Sequence, residues 1–158
     1  MPAQAMNFTG SFKIISNPSS SDLARLDRVC FHRPWEPSAF HSLLQTPTVW
    51  AWMLADEERS VGFICCQQTS QEAEVLRIGI IPEAGGKGLG RKLMSAMLEH
   101  IAAAGIKKVF LEVREGNTPA RRLYEGCGFR QIGHRARYYN DPREDAIAYQ
   151  WLRQETEI

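Results

Sequence analysis

Apolar positions recur along this chain with two periods, and the switches between them lay out its elements. Ser11 to Ser16 predicts a short strand. The cluster NPSSSD then offers helix N-caps, and behind it Leu23, Leu26, Val29 and Cys30 fall on one helical face. HRPWEPSAF is broken by Pro34 and Pro37, after which a second short helix carries Phe40, Leu43 and Leu44. TVWAWMLA and VGFICCQQT read as a hairpin joined by the polar turn DEERS. EVLRIGII, apolar at Val75, Ile78, Ile80 and Ile81, predicts a strand buried near the sheet centre and ends at Pro82.

Beyond a glycine-rich loop, Leu93, Met94, Met97, Leu98 and Ile101 repeat at helical spacing until Gly105 stops the helix. KKVFLEV alternates Val109, Leu111 and Val113 against Phe110 and Glu112, as a strand does. TPARRLYEGC is a short helix with Pro119 near its first turn and Gly126 and Gly128 around its end. FRQIGHRARYY and DAIAYQWL are the closing strands. The order β-α-α-β-β-β-α-β-α-β-β mixes hairpins with crossover helices. It predicts an α/β fold of the α+β kind, with one mixed sheet and helices on both faces.

Length and charge narrow the picture further. The 158 residues suit a single domain, 1–158, with no repeat or linker to divide it. A net charge of +1 argues against a dedicated nucleic-acid binder. MPAQAMNFTG has no basic region followed by an apolar stretch, so no signal peptide is expected. No run approaches the ~18 apolar residues of a membrane span. Cys30, Cys65, Cys66 and Cys127 lack the C-x-x-C spacing of a zinc or redox site and read as reduced, mostly buried thiols of a cytoplasmic protein. His32, His41, His100 and His134 show no metal or triad spacing, so no metal is expected.

The chemistry starts at GGKGLGRK, Gly85 to Lys92, which holds four glycines and three basic residues. A nucleotide P-loop needs Lys and then Ser or Thr after its last glycine, but Arg91 and Lys92 stand there. A dinucleotide fingerprint needs a third glycine where Leu93 lies on the helix's core face. What remains is a turn whose backbone N–H groups converge at a helix N-terminus, with Lys87, Arg91 and Lys92 adding charge. That suits a pyrophosphate. A basic surface turn without a ligand is the alternative.

Strand, glycine loop and amphipathic helix together resemble motif A of the GNAT N-acetyltransferases, whose loop reads Q/R-x-x-G-x-G/A. Gly88 and Gly90 match its glycines, and Gly85 departs from its leading Gln or Arg. LEVREGNTPARRLYEGCGF, RARYYNDPREDAIAY and the early Pro34–Trp35 are similar to segments of the ribosomal-protein-alanine N-acetyltransferase group in that family. The resemblance runs over about residues 11–152. It implies the acyl-CoA N-acyltransferase fold, acetyl-CoA as cosubstrate and acetyl transfer to a primary amine in a ternary complex.

Carried over residue by residue, the resemblance places the coenzyme's pantetheine arm on the backbone of Ile78, Gly79 and Ile80. It places the pyrophosphate on Gly86, Lys87, Gly88, Leu89, Gly90 and Arg91, with Asn117 as a further coenzyme contact. Glu112 becomes the general base, acting through water, and Tyr124 the general acid for the leaving thiolate. Taken alone, Glu112 is also an exposed strand glutamate and Tyr124 a core tyrosine. Glu72 and Glu74 are a second base, part of the acceptor site, or a solvated strand end.

An α-amine, with a pKa near 8, is about one-tenth neutral at pH 7, whereas a lysine amine is neutral in roughly one molecule in a few thousand. One carboxylate therefore suffices more easily for an N-terminal amine. The expected acceptor is a protein or peptide N-terminus, such as that of an Ala-starting small-subunit ribosomal protein. Arg135, Arg137, Tyr138 and Tyr139 would flank it, with the Pro34–Trp35 segment as an opposite wall. A small-molecule amine acceptor and a non-catalytic CoA-binding domain are the alternatives. Neither a direct nucleic-acid contact nor a membrane is expected, and the closing strands suit a monomer or a homodimer.

Overall fold

The computed structural model describes residues 11–57, 59–140 and 142–154; the expectation for MPAQAMNFTG lies outside them. The elements are β1 (Lys13–Ser16), α1 (Ser20–Cys30), α2 (Pro37–Leu44), β2 (Val49–Ala55), β3 (Ser60–Thr69), β4 (Glu72–Ile80), α3 (Leu89–Ala103), β5 (Lys108–Arg114), α4 (Thr118–Gly126), β6 (Arg130–Tyr139) and β7 (Glu144–Leu152). This is the expected order, with a short 3-10 turn at Pro82–Ala84 added. The strands form one sheet in the order β1-β2-β3-β4-β5-β7-β6, so β4 is central as its apolar run implied. The sheet is mixed: β4 and β5 are parallel, while β1–β2, β5–β7 and β6–β7 are antiparallel.

The described residues group into two compact units. One comprises those up to Cys66 together with Arg77–Leu93; the other comprises Gln67–Leu76 and those from Met94 onward.

In the first unit, Ser19 caps α1 by accepting a 3.1 Å bond from the Asp22 N–H. Leu23 and Leu26 are buried as expected, but Val29 is 50% exposed. The reason is angular. Leu23, Asp27 and Cys30 stand at i, i+4 and i+7 and share a face, whereas i+6 points away from it. Asp27 is fully buried there. Arg77 neutralises it through Nε–Oδ1 and Nη2–Oδ2 contacts of 2.6 and 3.3 Å, and the Trp35 N–H adds a 2.7 Å bond. The Arg77 guanidinium lies 3.8 Å from the Phe31 ring centroid and 4.5 Å from that of Trp35. Trp35 in turn packs on buried Phe40. The Pro34–Trp35 segment is therefore pinned by this cluster.

In the second unit, Met94, Met97, Ile101, Val109, Leu111 and Tyr149 are buried. Each such side chain contributes about 1.5–3 kcal/mol by leaving water. Helices α3 and α4 end alike. Gly105 (φ +87°) and Gly128 (φ +98°) take left-handed backbone, and the next N–H bonds back to Ile101 O and Tyr124 O respectively. Only glycine adopts that turn without strain. The family-like segments in this unit are held by their own polar residues. Arg114 donates to the Asn140 and Pro142 carbonyls and stands 3.5 Å from the Glu144 carboxylate. Tyr149 accepts from Arg121 and donates to Glu125.

Candidate active site

The glycine loop belongs to the first unit. Gly86 and Gly88 have φ of +74° and +73°, and a Cβ added at either would meet nothing within 4 Å. The left-handed backbone and open space make an exposed cradle of N–H groups directly before α3. The first N–H groups of any helix have no intrahelical partner and carry its positive end. The cradle therefore fits a pyrophosphate.

Lys87 and Arg91 are exposed beside the loop, whereas Leu89 and Gly90 are buried and can offer only backbone. The Lys92 ammonium donates to the Phe12 carbonyl at 3.3 Å. Gly85 has ordinary extended backbone, φ −68° and ψ 160°, so its lack of a side chain is not imposed by the turn. In β4, Gly79 is buried, and a Cβ there would come within 3.0 Å of Cys30 and Phe31. Ile78 and Ile80 flank it, half-buried.

The second unit holds Glu112, Asn117 and Tyr124. Parallel pairing sets Glu74 opposite Phe110, two residues before Glu112, so the three side chains share a sheet face. Glu74, Phe110, Glu112, Ile132, Arg135 and Ala148 are among the residues lining one cavity of about 320 Å³. Burial first, and then the Glu112 charge, raises the Glu74 carboxyl above its ordinary value, against the opposing effect of Arg135. Arg135 stands 3.3 Å from the Glu112 carboxylate.

Tyr139 is pushed up to about 12 by burial and then by Glu112. Tyr124 is buried, packs edge-on to Tyr149 with ring centroids 6.2 Å apart, and is raised by burial and then by Tyr139 and Cys127. Tyr139 thus feels the Glu112 charge, and Tyr124 in turn feels Tyr139. Asn117 caps α4, its Oδ1 accepting from the Ala120 N–H at 3.2 Å, and its carboxamide nitrogen takes no part in the cap.

Two groupings here escaped sequence reasoning, which named Glu74 and Arg135 but not their approach to Glu112. Glu74 joins Glu112 through strand register, and Arg135 meets Glu112 because β6 pairs with β7 and β7 with β5. His134 belongs to the other. Its Nε2 lies 2.7 Å from Asp145, and their ligand atoms and that of Glu115 fall within 4.8 Å of one another. Sequence spacing did not reveal that grouping. The Arg137 N–H, bonded to the second Asp145 oxygen at 2.8 Å, lowers the Asp145 carboxyl, and His134 lowers it further.

Residues 20–129 match the acetyltransferase (GNAT) family. The chain belongs to that family. Within it, the chain is similar to the ribosomal protein bS18-alanine N-acetyltransferase of Escherichia coli K12, with 33% identity over 116 residues, 72% of this chain and 78% of that protein. The Haemophilus ducreyi enzyme of the same name is 35% identical over 95 residues, 58% of this chain, and the match spans 66% of its length. The crystal structure of the E. coli ribosomal-protein-S18-alanine N-acetyltransferase superposes with a TM-score of 0.86 at 26% identity, covering 93% of this chain and 97% of that one. Among the described residues, no helix is long and apolar enough to cross a membrane.

Proposed function

We propose that this protein transfers the acetyl group of acetyl-CoA to the N-terminal α-amine of a protein, with an Ala-starting ribosomal protein as acceptor. The observation that carries the reading is the cavity in which Glu112 and Glu74 meet, next to the Tyr139–Tyr124 pair. The names of the bacterial relatives support the acceptor class. The free thiols Cys30, Cys65, Cys66 and Cys127 support a reducing, cytoplasmic setting.

Backbone N–H groups of Gly86–Arg91, with the Lys87 and Arg91 cations, hold the pyrophosphate of the acyl donor. The Ile78–Ile80 backbone pairs with its pantetheine arm, and the Asn117 carboxamide nitrogen adds a contact. The acceptor nitrogen attacks the thioester carbonyl, forming N–C as C–S breaks. Glu112 takes the proton that the nitrogen sheds, directly or through water. Tyr124 gives a proton to the departing sulfur. Its elevated pKa keeps that proton in place throughout the working pH range, so the donor is always protonated.

The experiment is thiol release from acetyl-CoA with an Ala-starting ribosomal peptide, a panel of small amines, and the variants Glu112→Gln and Tyr124→Phe. Each variant is expected to lower turnover about 100-fold or more at unchanged acetyl-CoA affinity. A loss under about threefold in either removes that residue's role. Activity on small amines but not on the peptide identifies a small-molecule acetyltransferase. Acetyl-CoA binding without turnover of any acceptor identifies a CoA-binding domain.

A further inference from the structure

The charges around Glu112 do not balance. Facing it are the Glu74 carboxylate from β4 and, from β6, the Arg135 guanidinium and the Tyr139 phenol, which stays neutral with its pKa near 12. The β7 residue opposite Glu112 is Ala148, which adds no charge. Two carboxylates therefore share one cation.

That cation is loosely held. The Arg135 side chain is 61% exposed while that of Glu112 is 23% exposed, and they meet in a single 3.3 Å contact. The guanidinium otherwise rests on Tyr138, itself half-exposed, at 5.3 Å from the ring centroid. The contrast is the fully buried Asp27, gripped by Arg77 through two nitrogens. Exposed single-contact pairs are weak and exchange readily.

The backbone beneath Arg135 is by contrast pinned. β6 shifts register between Arg135 and Tyr139, and Arg137 takes φ +56°, a left-handed conformation unusual for a side-chain-bearing residue. The Arg137 N–H holds that shape by donating to Asp145 Oδ1 at 2.8 Å. The strand is thus fixed while the long Arg135 side chain can leave.

We propose that Arg135 is a built-in counter-cation of Glu112 that the ammonium group of the acceptor displaces. This rests on the reading of Glu112 as the proton acceptor. An amine at neutral pH arrives protonated and competes with the guanidinium for the same carboxylate. Displacement has a chemical consequence. Once the guanidinium leaves, the Glu112 oxygens face the ammonium directly: an N–H bond breaks, an O–H bond forms, the electron pair stays on nitrogen for the attack, and Glu112 passes this proton to water before it takes the second one, shed as N–C forms. Glu74, across the cavity, keeps the site net negative and favours cationic acceptors over neutral ones. Arg135 is in these terms a positioning residue, acting on the acceptor through Glu112.

The test uses Arg135→Gln and Arg135→Lys in the full chain with an Ala-starting peptide, alone and combined with Glu112→Gln. Arg135→Gln is expected to lower both the peptide KM and its dissociation constant, measured calorimetrically with CoA in place of acetyl-CoA, by about two- to fivefold. Arg135→Lys keeps the wild-type values. In the Glu112→Gln background, Arg135→Gln leaves peptide affinity unchanged. Weaker or unchanged peptide binding in Arg135→Gln, or an equal effect with and without Glu112, overturns the proposal. If Glu112→Gln alone keeps full turnover, it is the assignment of the base that fails, and the two failures are thereby told apart.

Discussion

Replacing Asp27 with asparagine keeps the shape of a fully buried side chain and removes its charge. The wild-type carboxylate accepts from Arg77 Nε at 2.6 Å, from Arg77 Nη2 at 3.3 Å and from the Trp35 N–H at 2.7 Å. If the amide nitrogen of asparagine takes the Oδ2 position, the Nη2 and Trp35 bonds become donor against donor. Hydrogen bonds to charged groups contribute about 1.5–3 kcal/mol each, so two lost bonds come to about 3–6 kcal/mol. Breaking a buried ion pair from one side costs about 3–5 kcal/mol, which agrees.

The Arg77 guanidinium cannot escape the penalty by turning outward, since its side chain is only 15% exposed between Phe31 and Trp35 and it also donates to the Arg33 carbonyl. For a chain of this size, 3–5 kcal/mol corresponds to a fall in Tm of roughly 6–20 °C. Thermal and urea unfolding of Asp27→Asn measure it. Arg25→Gln, which breaks the exposed Arg25–Asp22 contact, is the control and should cost under about 1 kcal/mol. The pair Asp27→Leu with Arg77→Met should recover much of the loss, because an apolar replacement leaves no charge stranded. A loss in Asp27→Asn no larger than that of the control would refute the reasoning.

Other outcomes follow from the loop and the core. Gly88→Ala places a side chain at φ +73° with nothing near it, so its cost of about 1–2 kcal/mol is backbone strain and should appear as lower stability together with weaker acetyl-CoA binding; an unchanged melting curve would mean the left-handed turn is not required. Gly85→Gln brings its Cβ to 3.1 Å from the Pro82 backbone carbonyl, a tight approach, so a stability loss of about 0.5–1 kcal/mol is expected. Tighter acetyl-CoA binding by that variant identifies a lost side-chain contact, and equal binding shows that the backbone suffices. Burial pushes the Cys65 thiol up to about 12, and Cys66 is raised well above its ordinary value for the same reason. At pH 8 both are therefore protonated and should react with a thiol reagent only as the protein unfolds. Fast labelling of native protein at either position would contradict this.

Much of the fold was legible because it is written in local periods. The alternation in KKVFLEV, the helical stripe from Leu93 to Ile101 and the glycines after α3 and α4 each act within a few residues, and each element appeared in its expected order. The left-handed turn at Gly86 and Gly88 was legible for the same reason, since a glycine loop opening a helix needs nothing distant to make it. Where local reasoning failed, a distant partner had intervened. Val29 seemed a better core residue than Asp27 until Arg77, fifty positions away, supplied the opposite charge. The same arginine also meets Trp35, a contact that no local pattern shows.

The sequence by itself determined which elements form, where they stop and that the loop before α3 turns through glycines, because hydrophobic period, capping and backbone freedom are short-range properties. Only the tertiary structure decided what surrounds Glu112. Its neighbours Glu74, Arg135 and Tyr139 come from two other stretches of chain, β4 and β6, and are brought together by strand register. A register slip of one residue would turn each of them to the opposite face while leaving the sequence pattern intact. The electrostatics of the proposed base are for that reason a property of the sheet, not of the motif that contains it.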